Sequence, residues 1–243
     1  MRVLSHGQYL TQLTQYPTFF PINFYLVRED DGFTLIDTGW TNNTEGILAA
    51  AESYHAPIRR IALTHAHSDH VGSLDALHAA LPDADVLISA RDARFLAGER
   101  SLDPDEPQTK LRGGYVTCST RPTRLLSAGE RVGSLEVIAS PGHTPGHIAF
   151  LDLRDRSLIA GDAFQTQGGI VVAGELRILF PMSPFSTWNR PLALASAQAL
   201  RALLPSRLAV GHGPVLENPL EAMDSAISVA KRHVAARSAH VST

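Results

Sequence analysis

Cysteine and long apolar runs are almost absent from the sequence. The single cysteine, Cys118, excludes an internal disulfide bond and a zinc site built from several cysteines. No segment approaches the ~18 consecutive apolar residues of a membrane-spanning helix, and the amino-terminal segment lacks the unbroken apolar core of a secretory signal. We therefore expect a cytoplasmic protein without a membrane partner.

The sequence also lacks a block of like charges. Lysine and arginine number 21 against 24 aspartates and glutamates, which gives a net charge of −3. Since nucleic-acid-binding proteins usually carry a concentrated basic surface, we expect a small molecule rather than a nucleic acid as the partner. The hydrophobic content of 44% is sufficient for one large core. No linker divides the chain, so we expect a single domain over residues 1–243, with formation of a homo-oligomer left open.

Strand-like and helix-like segments alternate along the chain in two similar halves. The pattern predicts strands at 23–28, 33–37, 59–65, 85–89, 134–140, 147–153, 157–161 and 207–213, and helices at 43–54, 70–82, 90–97, 187–204 and 218–238. The first two strands are predicted to form a hairpin. Because helices alternate with strands in both halves, we predict an α/β fold of four layers, in which two sheets pack between layers of helices.

The segment THAHSDH, residues 64–70, places three histidines and an aspartate at the end of a predicted strand. His65 and His67 are two positions apart, so on an extended backbone their imidazoles point the same way and can hold one ion together. Asp69 and His70 continue round the turn and face a different point. Because histidine and carboxylate groups are ligands of zinc and similar divalent metals, the segment predicts a metal site.

Four further segments place glycine near a potential metal ligand at the end of a strand. They are LIDTG with Asp37, SPGHTPGH with His143, IAGDAF with Asp162 and AVGHG with His212. Glycine allows the sharp turns that would bring these side chains into one cleft. Adding His143 to the first pair and His212 to the second gives two sets of three ligands, and leaves Asp162 to bridge two ions.

Asp37 and several histidines outside the two ligand sets are expected to have supporting roles. We expect Asp37 to hydrogen-bond a metal-bound histidine rather than to bind a metal itself. His147 begins a strand, where packing is favoured although a ligand role stays open. His233 and His240 lie in the polar C-terminal segment and are expected to be solvated or structural.

In their order along the chain, THAHSDH, GHTPGH, GDAF and GHG resemble the metallo-β-lactamase-fold hydrolase superfamily, and the resemblance covers about residues 23–213. The motifs are most similar to those of the glyoxalase II and acyl-homoserine-lactonase branches. The resemblance implies an αββα sandwich with the site at one edge of the paired sheets. It also implies one metal on His65, His67 and His143, a second on Asp69, His70 and His212, and Asp162 binding both.

The same resemblance implies a hydrolase that uses two divalent metal ions, zinc or else iron or manganese. A hydroxide bridging the ions would attack an ester, thioester, lactone or similar carbonyl group of a small molecule. Asp69 would act as the catalytic residue that orients the hydroxide or carries a proton to the leaving group. The segment 164–188 is apolar and aromatic, so we expect it to line or cover the substrate pocket together with the loop 98–114.

Two other functions fit part of the pattern. A persulfide dioxygenase of the same superfamily uses a single iron, which His65, His143 and Asp162 could hold. A ligand-binding protein without catalytic activity could also keep this fold. Such a protein would be expected to have lost some of the seven metal-binding residues, all of which are present here.

Overall fold

The structure, a computed structural model, describes the backbone of residues 1–241 and the side chains of residues 1–237. Its strands are β1 (Arg2–His6), β2 (Leu10–Gln15), β3 (Ile22–Glu29), β4 (Gly32–Ile36), β5 (Ile58–Ala62), β6 (Asp85–Ser89), β7 (Arg124–Leu126), β8 (Arg131–Val132), β9 (Leu135–Ala139), β10 (Ile148–Asp152), β11 (Ser157–Ile159), β12 (Phe164–Gln165), β13 (Val171–Val172), β14 (Arg207–Ala209) and β15 (Leu216–Glu217). Its helices are α1 (Thr44–Ser53), α2 (Ser68–Val71), α3 (Leu74–Ala80), α4 (Ala90–Leu96), α5 (Ser183–Ser186), α6 (Arg190–Ala202) and α7 (Leu220–Val241).

Two large sheets contain most of these strands. The first has the order β1-β2-β3-β4-β5-β6-β7, antiparallel up to β4 and parallel from β4 to β7. The second has the order β15-β14-β11-β10-β9-β8, and its pairs are antiparallel except for the parallel pair of β11 and β14. The strands β12 and β13 form a small ribbon of their own.

Both faces of the central strands of each large sheet are buried. Along β3, Tyr25 and Val27 belong to the core between the two sheets, whereas Phe24 and Leu26 belong to a second core under the helices. This alternation follows from the two-residue period of a strand. Since burial of one large apolar side chain contributes roughly 1.5–3 kcal/mol, the two faces together fix the register of the strand.

Helices cover the outer faces of the sandwich. Apolar residues of α1, α3 and α4 pack on the first sheet, and those of α6 and α7 pack on the second. The four-layer αββα architecture expected from the sequence is therefore confirmed. Within the described residues, no helix combines the length and the apolar character needed to cross a membrane.

Several elements differ from their predicted bounds. Strands β1 and β2 form the edge of the first sheet and were not predicted, because the leucines of LTQLTQ are three residues apart and do not alternate. The predicted helix 70–82 is split into α2 and α3. The strand predicted to continue to residue 213 ends at Ala209, and residues 210–213 turn into the site. That the chain forms a single domain stays a prediction.

Candidate metal centre

The residues predicted to bind metal come together at one edge of the sandwich. They lie on the segments that follow β5, β9, β11 and β14, and these strands end at this edge. Three overlapping groups have ligand atoms within 4.8 Å of one another: His65, His67 and His143; His65, His70 and Asp162; and Asp69, His70 and His212. All seven residues therefore take part in one cluster.

The first set consists of three imidazole nitrogens. His67 Nδ1 lies 3.1 Å from His65 Nε2 and 2.9 Å from His143 Nε2. Zinc–nitrogen bonds of about 2.0–2.1 Å place tetrahedral ligand atoms roughly 3.4 Å apart. The spacing of these nitrogens is thus close to that of three ligands of one ion.

The second set combines carboxylates with imidazoles. Asp69 Oδ2 is 3.3 Å from His212 Nε2, and Asp162 Oδ1 is 3.4 Å from His70 Nε2. The other oxygen of Asp162, Oδ2, is 3.3 Å from both His143 Nε2 and His212 Nε2. Asp162 therefore lies between the two sets, in the position that a shared ligand requires.

Each histidine of the cluster has one ring nitrogen beside a protein acceptor. The acceptors are Thr64 Oγ1 for His65, the Arg112 carbonyl for His67, Asp37 Oδ2 for His70, Thr187 Oγ1 for His143 and the Pro21 carbonyl for His212. An N–H donated to each acceptor leaves the other nitrogen with a lone pair directed into the cluster. That nitrogen is Nδ1 in His67 and Nε2 in the other four.

Two buried atoms of the cluster have no hydrogen-bond partner within the described residues, His70 Nε2 and Asp162 Oδ1. A buried polar atom without a partner is costly. Gly211 keeps the space beside them open, because a Cβ at this position would be 2.1 Å from Asp162 Oδ1. The donor set, the spacing and the unpartnered atoms fit a pair of divalent cations.

The two sets differ in their electrostatics. Burial lowers the pKa of His65 and of His143 well below the usual range, so both rings stay neutral and the nitrogen that faces the cluster carries no proton. Burial acts in the same direction at His212, but Asp162 and Asp69 outweigh it and raise the pKa of His212 to about 10. The half of the site that holds the carboxylates therefore attracts positive charge, which a divalent metal supplies in competition with protons.

Two buried aspartates hold the ligand segments in place. As predicted, Asp37 bonds a histidine of the cluster: its Oδ2 is 2.8 Å from His70 Nδ1, and it also accepts from the backbone and hydroxyl of Thr64. Asp92 was missed by the sequence analysis. Its carboxylate accepts from Ala66 N at 3.0 Å, Thr144 Oγ1 at 2.7 Å and Gly146 N at 2.7 Å, and so ties the first ligand segment to the one that carries His143.

The other histidines lie outside the cluster of ligands. His147 is buried, with Nδ1 2.8 Å from Ser140 Oγ and Nε2 accepting from Asp162 N, so it positions the Asp162 backbone. The side chain of His233 is 56% exposed but contacts Glu175, a pairing that the sequence analysis did not predict. The side chain of His240 lies outside the described residues.

The first sheet holds the segment that carries His212. Asn23 Nδ2 donates to the carbonyls of Val210 and Gly213, and Tyr25 Oη donates to Val210 O at 2.6 Å. Together with the contact between His212 and the Pro21 carbonyl, these bonds join the start of β3 to the loop after β14. His212, which follows a strand of the second sheet, is thus held in place by residues at the start of β3 in the first sheet.

A cavity of about 370 Å3 opens onto the cluster. As predicted, the segment 164–188 lines it, with Gln165, Phe180, Met182 and Phe185 on the wall, and residues 113–114 close part of another side. Phe164 packs into the core, so the alternation of β12 turns Gln165 towards the cavity. Gln165 is 3% exposed, and both its amide atoms lack a hydrogen-bond partner within the described residues.

Residues 17–212 match the metallo-beta-lactamase superfamily. Because this match spans most of the chain and agrees with the architecture, the chain belongs to that superfamily.

Three comparisons indicate the range of the relatives. The uncharacterized protein YobT of Bacillus subtilis is 49% identical over 96% of this chain and 100% of its own. A hydroxyacylglutathione hydrolase of Rhodospirillum rubrum is 33% identical over 51% of this chain and 41% of its own length. A protein crystallised in a di-iron-bound form has a TM-score of 0.64 and 28% identity, and the superposition covers 87% of this chain and 96% of that one.

Proposed function

We propose that this protein hydrolyses an ester, thioester, lactone or similar carbonyl bond of a small molecule with two divalent metal ions. The observation that carries the proposal is the set of five histidines, each with one ring nitrogen beside a protein acceptor and the other directed at the same space. Buried histidines with a purely structural role would not need to direct their second ring nitrogens at the same space. The relative named for hydrolysis of hydroxyacylglutathione supports the reaction class.

The residues divide the reaction between them. Two divalent metal ions, which the seven ligands would hold, would lower the pKa of bound water towards about 7 and polarise a carbonyl group. Asp69, whose side chain is 23% exposed, lies at the cavity and holds one oxygen towards His212. Its carboxylate accepts a proton from the attacking water and returns it to the leaving group, as the new carbon–oxygen bond forms and the bond to the leaving group breaks.

Other cavity residues bind the substrate. The buried amide of Gln165 offers one donor group and one acceptor to a polar group beside the scissile bond. Phe20 and Phe180 have ring centroids 5.5 and 4.8 Å from that of His212 and form an apolar wall that excludes water there. A substrate with an apolar part next to its carbonyl group fits this wall.

The variant His212→Ala separates this proposal from the one-iron dioxygenase. Unmodified protein loaded with zinc, manganese or iron should hydrolyse at least one member of a panel of thioesters, esters, lactones and β-lactams. His212→Ala should lose hydrolysis and one metal ion together. Oxygen uptake with a persulfide, without hydrolysis in the panel and unchanged in His212→Ala, would overturn the proposal.

A further inference from the structure

A second cavity, of about 520 Å3, lies beside the first and is lined by cationic side chains. Arg112, Arg190 and Arg237 contribute three guanidinium groups, and His233 and Glu175 complete its charged wall. We call these five residues the arginine cavity. Neither the metal cluster nor the proposed reaction requires three arginines at this place.

Among the described residues, the arginine cavity has one carboxylate, that of Glu175, which cannot balance the charge of three arginines. Glu175 is 5% exposed, and its Oε2 lies 2.5 Å from His233 Nδ1. Within residues 1–237, the guanidinium groups of Arg112, Arg190 and Arg237 form no salt bridge and no side-chain hydrogen bond. The cavity therefore has three cations facing one acid that already has a partner.

The placement of Arg190 is unfavourable without an anion. It is the first residue of α6, where the positive end of the helix dipole disfavours a cation. Burial and the charges of Arg237 and Arg112 lower its pKa, against the opposite effect of Glu175. Its side-chain stem packs against Gly174, where a Cβ would come within 2.7 Å of Arg190 Cγ, so a larger residue at position 174 would displace the stem.

The arginine cavity adjoins the cavity that opens onto the metal cluster. Phe185 lines both cavities. Arg112 also contacts the cluster directly, since its carbonyl oxygen is 3.0 Å from His67 Nε2. A small molecule that passes Phe185 can thus have one end at the metal ligands and the other among the arginines.

We propose that the arginine cavity binds a carboxylate or phosphate group of the substrate whose carbonyl group is hydrolysed at the metal cluster. The inference rests on the proposed function and narrows its substrate class to anionic carbonyl compounds. Guanidinium groups bind both kinds of anion through paired N–H donors. Binding such a group also compensates the repulsion among the three arginines.

Direct titration tests the cavity independently of hydrolysis. Inorganic phosphate and succinate are titrated calorimetrically into metal-loaded protein, both unmodified and as the variants Arg190→Gln and Arg237→Gln. The control is Arg201→Gln, because Arg201 lies on α6 like Arg190 but pairs with Asp224. Loss of one charge-assisted contact should weaken binding about tenfold or more in the first two variants and leave the control unchanged. The probe that binds with the lower Kd identifies the preferred anion.

A further variant distinguishes the arginine cavity from the metal ions, which also attract anions. His212→Ala should keep the tight anion binding if the arginines provide it. Binding that is lost in His212→Ala and unchanged in Arg190→Gln would overturn the proposal. So would the absence of binding to the unmodified protein.

Kinetics then tests whether the anion belongs to the substrate. Paired esters and thioesters are used that differ only in a carboxylate or its carboxamide, placed on the acyl side or on the leaving group. Arg190→Gln should raise KM about tenfold for whichever carboxylate substrate is hydrolysed more efficiently, without a change in kcat. The rates for the matching carboxamide should stay unchanged. Equal losses for both members of a pair would contradict the proposal, whereas hydrolysis of none by the unmodified protein would count against the proposed function alone.

Discussion

Asp69 and Asp162, the two carboxylates of the cluster, differ in exposure, at 23% and 9% of the side chain. Both line the cavity, but Asp69 is the more exposed of the two, so it is the carboxylate better placed to exchange a proton with substrate. We expect Asp69→Asn to keep most of the metal, because the amide oxygen is still a ligand, but to lose about a hundredfold or more of the hydrolytic rate. Metal content and rate are measured on the same samples. Hydrolysis at the unmodified rate would exclude a proton-transfer role.

Asp92 predicts a pH dependence of stability. Burial is the main cause that raises its pKa to about 6, against the hydrogen bonds it accepts. Between roughly pH 4 and pH 6 the folded protein then holds a proton that the unfolded chain has lost, so its contribution to the free energy of unfolding falls as the pH rises through that window. Asp92→Asn should lack this part of the slope.

Urea titrations of metal-free protein across the window measure the slope for Asp92→Asn and for the control Asp83→Asn, an exposed aspartate. The control should keep the slope of the unmodified protein. Parallel slopes for all three proteins would mean that Asp92 is ionised throughout.

At the scale of single residues, the metal ligands could be predicted, because residue type and spacing in the sequence identify them. The seven clustered residues stand out because several histidines and aspartates occur at strand ends near glycine. Asp92, Gln165 and Arg190 carry no such signal. Asp92 follows the N-cap Ser89 by three residues and reads as an ordinary acidic residue in the first turn of a helix, and its bonds to residues 66, 144 and 146 depend on tertiary packing.

At the scale of elements, the hairpin of β3 and β4 and the helices α1 and α4 follow their predicted patterns closely. The predicted helix 70–82 fails for a tertiary reason. Ser73 Oγ contacts the carbonyl of Trp40 and accepts from Asn43 N, so the chain turns there to meet the loop after β4. Helical periodicity continues through this point and gives no sign of the break.

The segment between β13 and α6 allows a prediction for substrate binding. Phe180 is 3% exposed and packs on Phe20 and His212 at the cavity, whereas Ile178, two residues away, is 87% exposed. We expect Phe180→Ala to raise KM roughly tenfold for substrates with an apolar acyl group, since burial of a large side chain contributes about 1.5–3 kcal/mol. Ile178→Ala serves as the control and should leave KM unchanged. Equal effects of both variants would assign the loss to the segment as a whole.

At the scale of the whole molecule, the two sets of ligands predict two metal ions per chain. Elemental analysis of protein purified without chelator should give a value near two. Because a ligand that binds only the folded state stabilises it by about 2.7 kcal/mol at a hundred times its Kd, removal of the metal should lower Tm and its return should restore it. A reproducible value near one, unchanged by added zinc, manganese or iron, would contradict this prediction.

The bonds from β3 to the loop after β14 also impose an order of events on folding. His65 and His67 are neighbours in sequence, and their segment can form with the first sheet alone. His212 reaches its place only when Asn23 and Tyr25, some 190 residues earlier, have met the loop that carries it. A partly folded chain can therefore capture an ion through the early histidines, but His143, Asp162 and His212, which follow strands of the second sheet, join them only when the two sheets close. A chain that holds its full complement of metal must therefore already have packed its two sheets together.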